Sequence, residues 1–191
     1  MIRDDMRLLD TAIHGAASAG VKLKQKLIRE AFNGKMADGK PLFHASHGNL
    51  IADRLTLAGL SKARAALRKL KGIDGEPRNL PGKFLIVSPD DETAAQQLTS
   101  PITAAVTGEV NVFAASLTVI VDPMLEAGEW ILAPAPALGD SIEYADLEGY
   151  EGVNVAEFFN PAVDGMSWRA RAFGGAHPTG LAFIKSTGTA A

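Results

Sequence analysis

The chain has no cysteine anywhere in its 191 residues, which removes disulfide staples, thiolate nucleophiles and cysteine metal ligands at once. Its stability has to come from burial, and a hydrophobic content of 47% supplies the material for a packed core. No apolar run approaches the roughly 18 to 20 residues that span a bilayer. The first thirty residues are charged and helical in pattern rather than signal-like. These absences describe a soluble, unsecreted protein. Glycine-rich phosphate loops are missing too: Gly72 to Gly82 lacks a Gly-Lys-Ser/Thr ending, and Gly174-Gly175 falls inside an expected hairpin. There is no repeat and no low-complexity tract.

Net charge is only −3, but it is unevenly distributed. Residues 1 to 75 carry 14 Lys and Arg against 7 Asp and Glu, whereas residues 76 to 191 carry 5 against 15. A basic half suggests nucleic acid, yet an acidic half in the same molecule repels it. Complementary ends suit a protein that packs head to tail against copies of itself. Solvated helix faces that happen to cluster give the same pattern.

The spacing of Leu9, Ile13, Ala16, Ala17, Leu23, Leu27 and Ala31 predicts a long helix from Asp4 to Phe32. Asp4 and Asp5 suit its N-terminus, Lys26 and Arg29 its C-terminus, and Asn33-Gly34 offers a left-handed stop. Gly15 and Gly20 weaken it, so the helix bends there or another backbone comes close. Gly34 to Asn49 reads as an exposed loop with its turn at Asp38-Gly39-Lys40-Pro41. A second helix is expected from Ser61 to Lys71, capped by Ser61 and stopped at Gly72. Phe84 to Val87 is a continuously apolar strand, expected to be buried on both faces, and Pro89-Asp90-Asp91-Glu92 opens a helix with Ala94, Ala95 and Leu98. Leu117 to Val121, Trp130 to Leu132, Ile142 to Tyr144, and a final pair of Trp168 to Phe173 with Leu181 to Ile184 read as strands. Helices first and strands later point to an α+β fold with a largely antiparallel sheet.

No catalytic set emerges. His44 and His47 have a His-x-x-His spacing, but zinc sites want a third and fourth ligand and His-Glu-x-x-His is absent. Ser46 beside His47 suggests nucleophile and base, although adjacent residues rarely converge and no oxyanion-forming turn is visible. Asp4-Asp5 and Asp90-Asp91 both sit at expected helix starts, where acids offset the dipole. Lys62, Arg64, Arg68, Lys69 and Lys71 form the one dense basic patch, suited to a solvated face, a neighbouring subunit or phosphates. Phe84, Trp130, Phe158, Phe159, Trp168, Phe173 and Phe183 fall in strand positions and are expected mostly in the core. Two rival functions remain open: a hydrolase or metal enzyme using His44, Ser46 and His47, and a nucleic-acid-binding accessory protein using the helix at 62 to 71.

The order of short motifs adds a resemblance. Asp4-Asp5-Met6 opens a long helix, followed by Asp38-Gly39-Lys40-Pro41-Leu42-Phe43-His44 and His47-Gly48-Asn49-Leu50. Then come Ala63-Arg64-Ala65-Ala66-Leu67-Arg68, Gly75, and Pro81-Gly82-Lys83-Phe84-Leu85-Ile86-Val87-Ser88-Pro89. Asp122-Pro123, Trp130-Ile131-Leu132-Ala133-Pro134 and Asp164-Gly165-Met166-Ser167-Trp168-Arg169-Ala170-Arg171 complete the series. In this order, across nearly the whole chain, they resemble the major head (major capsid) subunit of Mu-like phages and prophages.

That resemblance implies a Hong-Kong-ninety-seven-type α+β capsid fold. Its peripheral domain would be a long spine helix on an antiparallel sheet with a returning hairpin, from residues 1–45 and 161–191. A mixed α/β axial domain would span 46–160. It implies a structural subunit that self-assembles into the head shell enclosing DNA, with no enzymatic activity, catalytic residue, metal or cofactor. The implied partners are copies of itself in hexamers and pentamers. Packaged DNA is met only indirectly, and no membrane or small-molecule substrate is involved. The implied locations are the virion capsid and, during assembly, the bacterial cytoplasm. Lys62, Arg64, Arg68, Lys69 and Lys71 become candidate subunit contacts. Family subunits carry an N-terminal arm and an extended loop ahead of the position of Asp4. The expectation is that this chain lacks both and associates weakly by itself.

Overall fold

The computed structural model describes residues 8–72, 75–100, 116–139, 141–162 and 164–189. By internal contacts the chain forms two compact units, one from residues 1–32 and 142–177, the other from 33–141 and 178–191.

The first unit is built on helix α1, Leu8–Phe32. The expected start at Asp4 lies outside the described residues. The helix ends where expected, but without a left-handed residue at Asn33 or Gly34. The chain turns instead through a bridge between Lys35 and Pro41, with Gly34 O accepting from Leu42 N at 3.0 Å. Against α1 lie β5 (Ile142–Asp146), β6 (Val153–Asn160) and β7 (Gly165–Ala172). Strands β6 and β7 form an antiparallel hairpin, from Val153↔Ala172 to Asn160↔Gly165, and β5 pairs with β8 (Gly174–Pro178). The Trp168–Phe173 segment therefore pairs with β6, not with Leu181–Ile184 as expected. A short turn lets β6 and β7 meet locally, while the later segment pairs elsewhere. Gly20 meets the side chain of Val153 so closely that a Cβ there would collide with it, whereas Gly15 has open space around it. The close approach expected at these glycines occurs at one of them, and against a side chain.

The second unit holds a five-stranded mixed sheet in the order β1-β9-β4-β2-β3, from Leu50–Ile51, Ile184–Ser186, Trp130–Pro134, Gly82–Val87 and Thr118–Val121. The central strand β4 is antiparallel to both neighbours, while β1 with β9 and β2 with β3 are parallel. The largely antiparallel sheet of the sequence reading thus becomes a mixed one. The cause is the strand–helix–strand passage β2–α3–β3, in which α3 spans Glu92–Thr99 and the crossover returns the chain in the same direction.

Helix α2, Leu57–Lys69, covers one face and buries Leu60, Ala63 and Leu67 against Leu85, Val87, Trp130, Leu132 and Ile184. It starts four residues before the expected Ser61, because the Thr56 hydroxyl caps it by accepting from Gly59 N at 3.1 Å. It ends with an extended Leu70, ahead of Gly72. Strand β2 buries alternate residues, Leu85 and Val87, rather than both faces. The strand buried throughout is β4, because it occupies the middle of the sheet.

Gly15→Ala should stabilise the protein by up to about 1 kcal/mol, since it raises helix propensity without a steric cost. Gly20→Ala should lower the melting temperature, because Val153 must move to admit the new methyl. Thermal unfolding of both variants checks this. Equal shifts would contradict the packing of α1 on β6.

Candidate functional site

The loop that carries His44, Ser46 and His47 is organised by its own hydrogen bonds. Buried Asn49 donates from Nδ2 to Leu42 O at 2.7 Å and accepts at Oδ1 from His44 N at 3.1 Å. His44 then caps the short 3-10 turn Ala45–His47, its Nδ1 accepting from Ser46 N at 3.1 Å. The Ser46 hydroxyl lies 2.8 Å from the same Nδ1 and accepts from Lys40 Nζ at 2.9 Å. Ser46 therefore pairs with His44, not with its sequence neighbour His47. His47 turns away: Nδ1 lies 3.1 Å from Leu42 O and Nε2 2.8 Å from Asp38 Oδ2. Both of its ring nitrogens are thus engaged within the loop, by Leu42 O and by Asp38. The two rings meet edge to face at 5.8 Å. Among the described residues no group of three His, Cys, Asp or Glu side chains is placed to hold a metal ion.

The basic residues on and after α2 do not stay together. Lys62 donates to Asp53 Oδ1 at 2.6 Å near the start of the helix. Arg68 donates to Asn79 Oδ1 at 2.7 Å near its end, beside Lys69, while Lys71 lies beyond the helix. Arg64 is half-buried. Lys62 and Lys69 are therefore about 10 Å apart along the helix axis. Asp90 and Asp91 sit, as expected, at a helix start, in the 3-10 turn Pro89–Asp91 that leads into α3. Asp91 Oδ2 also accepts from Ser88 Oγ at 2.8 Å and Gly128 N at 2.9 Å, which ties the turn to the β3–β4 connection.

The surface that the sequence reading missed is on the β6–β7 hairpin. Cross-strand partners share a face, so the register places Val153, Val155, Glu157 and Phe159 with Ala172, Ala170 and Trp168 on one side. Arg169, Arg171, Asn154 and Asn160 take the other, where Arg169 stacks over Phe158 at 5.9 Å. Val153 packs on α1, but Val155 is 41% exposed, Phe159 59% and Trp168 41%. Phe158 and Phe173 are exposed as well. The expectation that these aromatics are core is corrected: among the described residues no second layer covers the outer half of this two-stranded hairpin. The alternation Val153-x-Val155-x-Glu157-x-Phe159 is the signal that marks the face. Nearby, an apolar cleft of about 530 Å³ is lined by Leu23, Leu27, Leu147, Ala172 and Phe173. Asp146 at its edge accepts the Tyr144 hydroxyl at 2.6 Å, and this bond raises the Tyr144 pKa above its usual value. These surfaces offer apolar contact area, not converging acid and base groups.

The family model described as phage capsid protein matches residues 1–184. Among solved structures, a chain of the satellite phage P4 procapsid including size determination (Sid) protein is similar at a TM-score of 0.47. It is 12% identical, and the match covers 98% of this chain and 68% of that one. No curated protein matches the chain.

The Asp38–His47 pair sets a pH dependence. The hydrogen bond from His47, and then the backbone N–H of Lys40, hold the Asp38 carboxyl below its ordinary 3.8. A depressed folded-state pKa contributes stability above the unfolded value and loses it as pH falls through the folded value. The carboxyl is exposed, so the effect on global stability is small. Titration of Asp38 by NMR should give a midpoint below 3.8 in the native chain, moving upward in His47→Ala. An unchanged midpoint would contradict the loop geometry.

Proposed function

Because the chain belongs to the phage capsid protein family, we propose that it is a self-assembling subunit of a tailed-phage or prophage head shell of the Mu-like kind. The membership itself gives a structural role in a phage capsid. The finer reading is that copies form hexamers and pentamers that close around DNA in a Hong-Kong-ninety-seven-type fold. In that reading α1 is the spine helix, and the unit of residues 1–32 and 142–177 has the peripheral role. The unit of 33–141 and 178–191 surrounds the capsomer axes.

The observation that carries self-assembly is the uncovered apolar face of the β6–β7 hairpin. Val155, Phe159 and Trp168 lie side by side on two strands that have no further partner strand among the described residues. An isolated hairpin is marginal in water, and a cluster of exposed aromatics of this kind marks a contact surface. Covering it with a neighbouring subunit removes that cost from every copy in a shell.

The test is expression of the subunit with the other head proteins of its phage, followed by sedimentation and electron microscopy. The wild-type chain should be found in closed shells. Phe159→Asp with Trp168→Asp should reduce shell yield by about tenfold or more, with the circular dichroism of the subunit unchanged. Wild-type chain absent from every particle, or variants assembling as well as wild type, would overturn the proposal.

A further inference from the structure

The second unit is electrically bipolar along its sheet. Strands β2 and β3 run in the same direction and end at Val87 and Val121, while β4 starts beside them at Trp130. Around that end lie Asp90, Asp91, Glu92, Asp122 and Glu126, with Glu129 paired to Lys185 at 2.6 Å, Asp53 paired to Lys62 at 2.6 Å, and Arg54 as a further cation. The end is held together by Asp122 N donating to Val87 O at 2.9 Å and Gly128 N donating to Asp91 Oδ2 at 2.9 Å. The opposite end, where β2 begins at Gly82, collects the last turn of α2 and the segment after it. There Arg78 N donates to Leu70 O at 2.8 Å and Asn79 N to Arg68 O at 3.1 Å. Arg68, Lys69, Lys71, Arg78 and Lys83 are all exposed there, against the single carboxylate Glu76 among the described residues of the same segment. Six residues of β2 separate the two ends by roughly 20 Å.

Helix dipoles account for part of this pattern. Arg68 and Lys69 sit at the C-terminus of α2, and Asp90 to Glu92 at the start of α3, where such charges are favoured. Lys71, Arg78, Lys83, Asp122 and Glu126 lie outside both helices and have no such reason to segregate. A body whose ends carry opposite charge repels a copy brought up like end to like end and attracts one brought up end to end. A contact between two different patches is heterologous, and it closes into a ring when the rotation between neighbours is right.

We propose that this basic end docks on the acidic end of a second copy, an inference that rests on the capsid reading and names the seam between adjacent subunits. Lys69, Lys71 and Lys83 supply one side, and Asp90, Glu92 and Glu126 the other. Exposed charges of this kind set register and encounter rate and are sensitive to salt.

Reversing one end at a time tests the seam in the full chain. Lys69→Glu, Lys71→Glu and Lys83→Glu together make both ends acidic, and Asp90→Lys, Glu92→Lys and Glu126→Lys together make both ends basic. In sedimentation at about 0.02 M salt, where screening extends over roughly 20 Å, wild type should self-associate and dissociate as salt is raised. Each reversed variant alone should associate at least about tenfold more weakly, and an equimolar mixture should recover, because every contact in an alternating A–B array is again complementary. Recovery in the mixture also shows that both variants are folded. A wild type that stays monomeric at low salt, reversed variants that associate like wild type, or a mixture no tighter than its parts would each overturn the seam. If the shells described above form and lose yield with the hairpin variants while the seam test fails, the capsid reading stands and the seam alone is wrong.

Discussion

Trp130 is fully buried beneath α2, and its indole N–H must find an acceptor there or cost the fold an unsatisfied donor. The acceptor is the backbone oxygen of Asp53, which takes Trp130 Nε1 at 3.1 Å and Ser186 Oγ at 2.5 Å. One carbonyl thereby ties the segment that enters α2 to strands β4 and β9, which come from far along the chain. Leu60, Ala63 and Leu67 then have a fixed surface to pack on. The alignment of α2 with the sheet follows, and with it the placement of the helix's basic end and the acidic β2–β3 end at opposite poles. The polarity of the second unit is thus a consequence of how its core is closed.

The two units solve the burial problem differently. The second surrounds β4 with neighbours on both edges and a helix on one face, and its large apolar side chains are inside. In the first, α1 keeps Val21 and Leu23 exposed, Ala31 is buried, and the hairpin presents aromatics to water. A monomer gains nothing from that arrangement, whereas a member of a shell covers such surfaces with its neighbours. The exposed hairpin is the surface that the proposed assembly would cover.

Much of this was legible in the residues, and the failures share a physical cause. The long helix followed from apolar spacing, β2 and α3 from a strand run ending at Ser88-Pro89, and the resemblance to capsid subunits from motif order. What local pattern cannot report is pairing between distant segments. Leu50 pairs with Lys185 and Ile131 with Lys185, contacts that no window of sequence contains. Without them β2 looked like the fully buried strand, although the middle of the sheet belongs to β4. The same blindness put Phe159 and Trp168 in a core. Period-two alternation identifies an apolar face but not whether anything lies over it. The start of α2 was misplaced for a local reason: Thr56 makes the capping hydrogen bond that Ser61 was expected to make.

If neighbours cover the hairpin as proposed, β4 is protected within a single chain whereas β6 and β7 gain protection only on assembly. Amide hydrogen exchange, followed by mass spectrometry on free subunits and on assembled particles, measures this segment by segment. Exchange should be slowest in β4 in both states. It should be fast in β6 and β7 in the free chain, slowing by about 100-fold or more on assembly, equivalent to about 2.7 kcal/mol of added local stability. A hairpin already as protected as β4 in the free chain, or unchanged in the particle, would contradict the proposal.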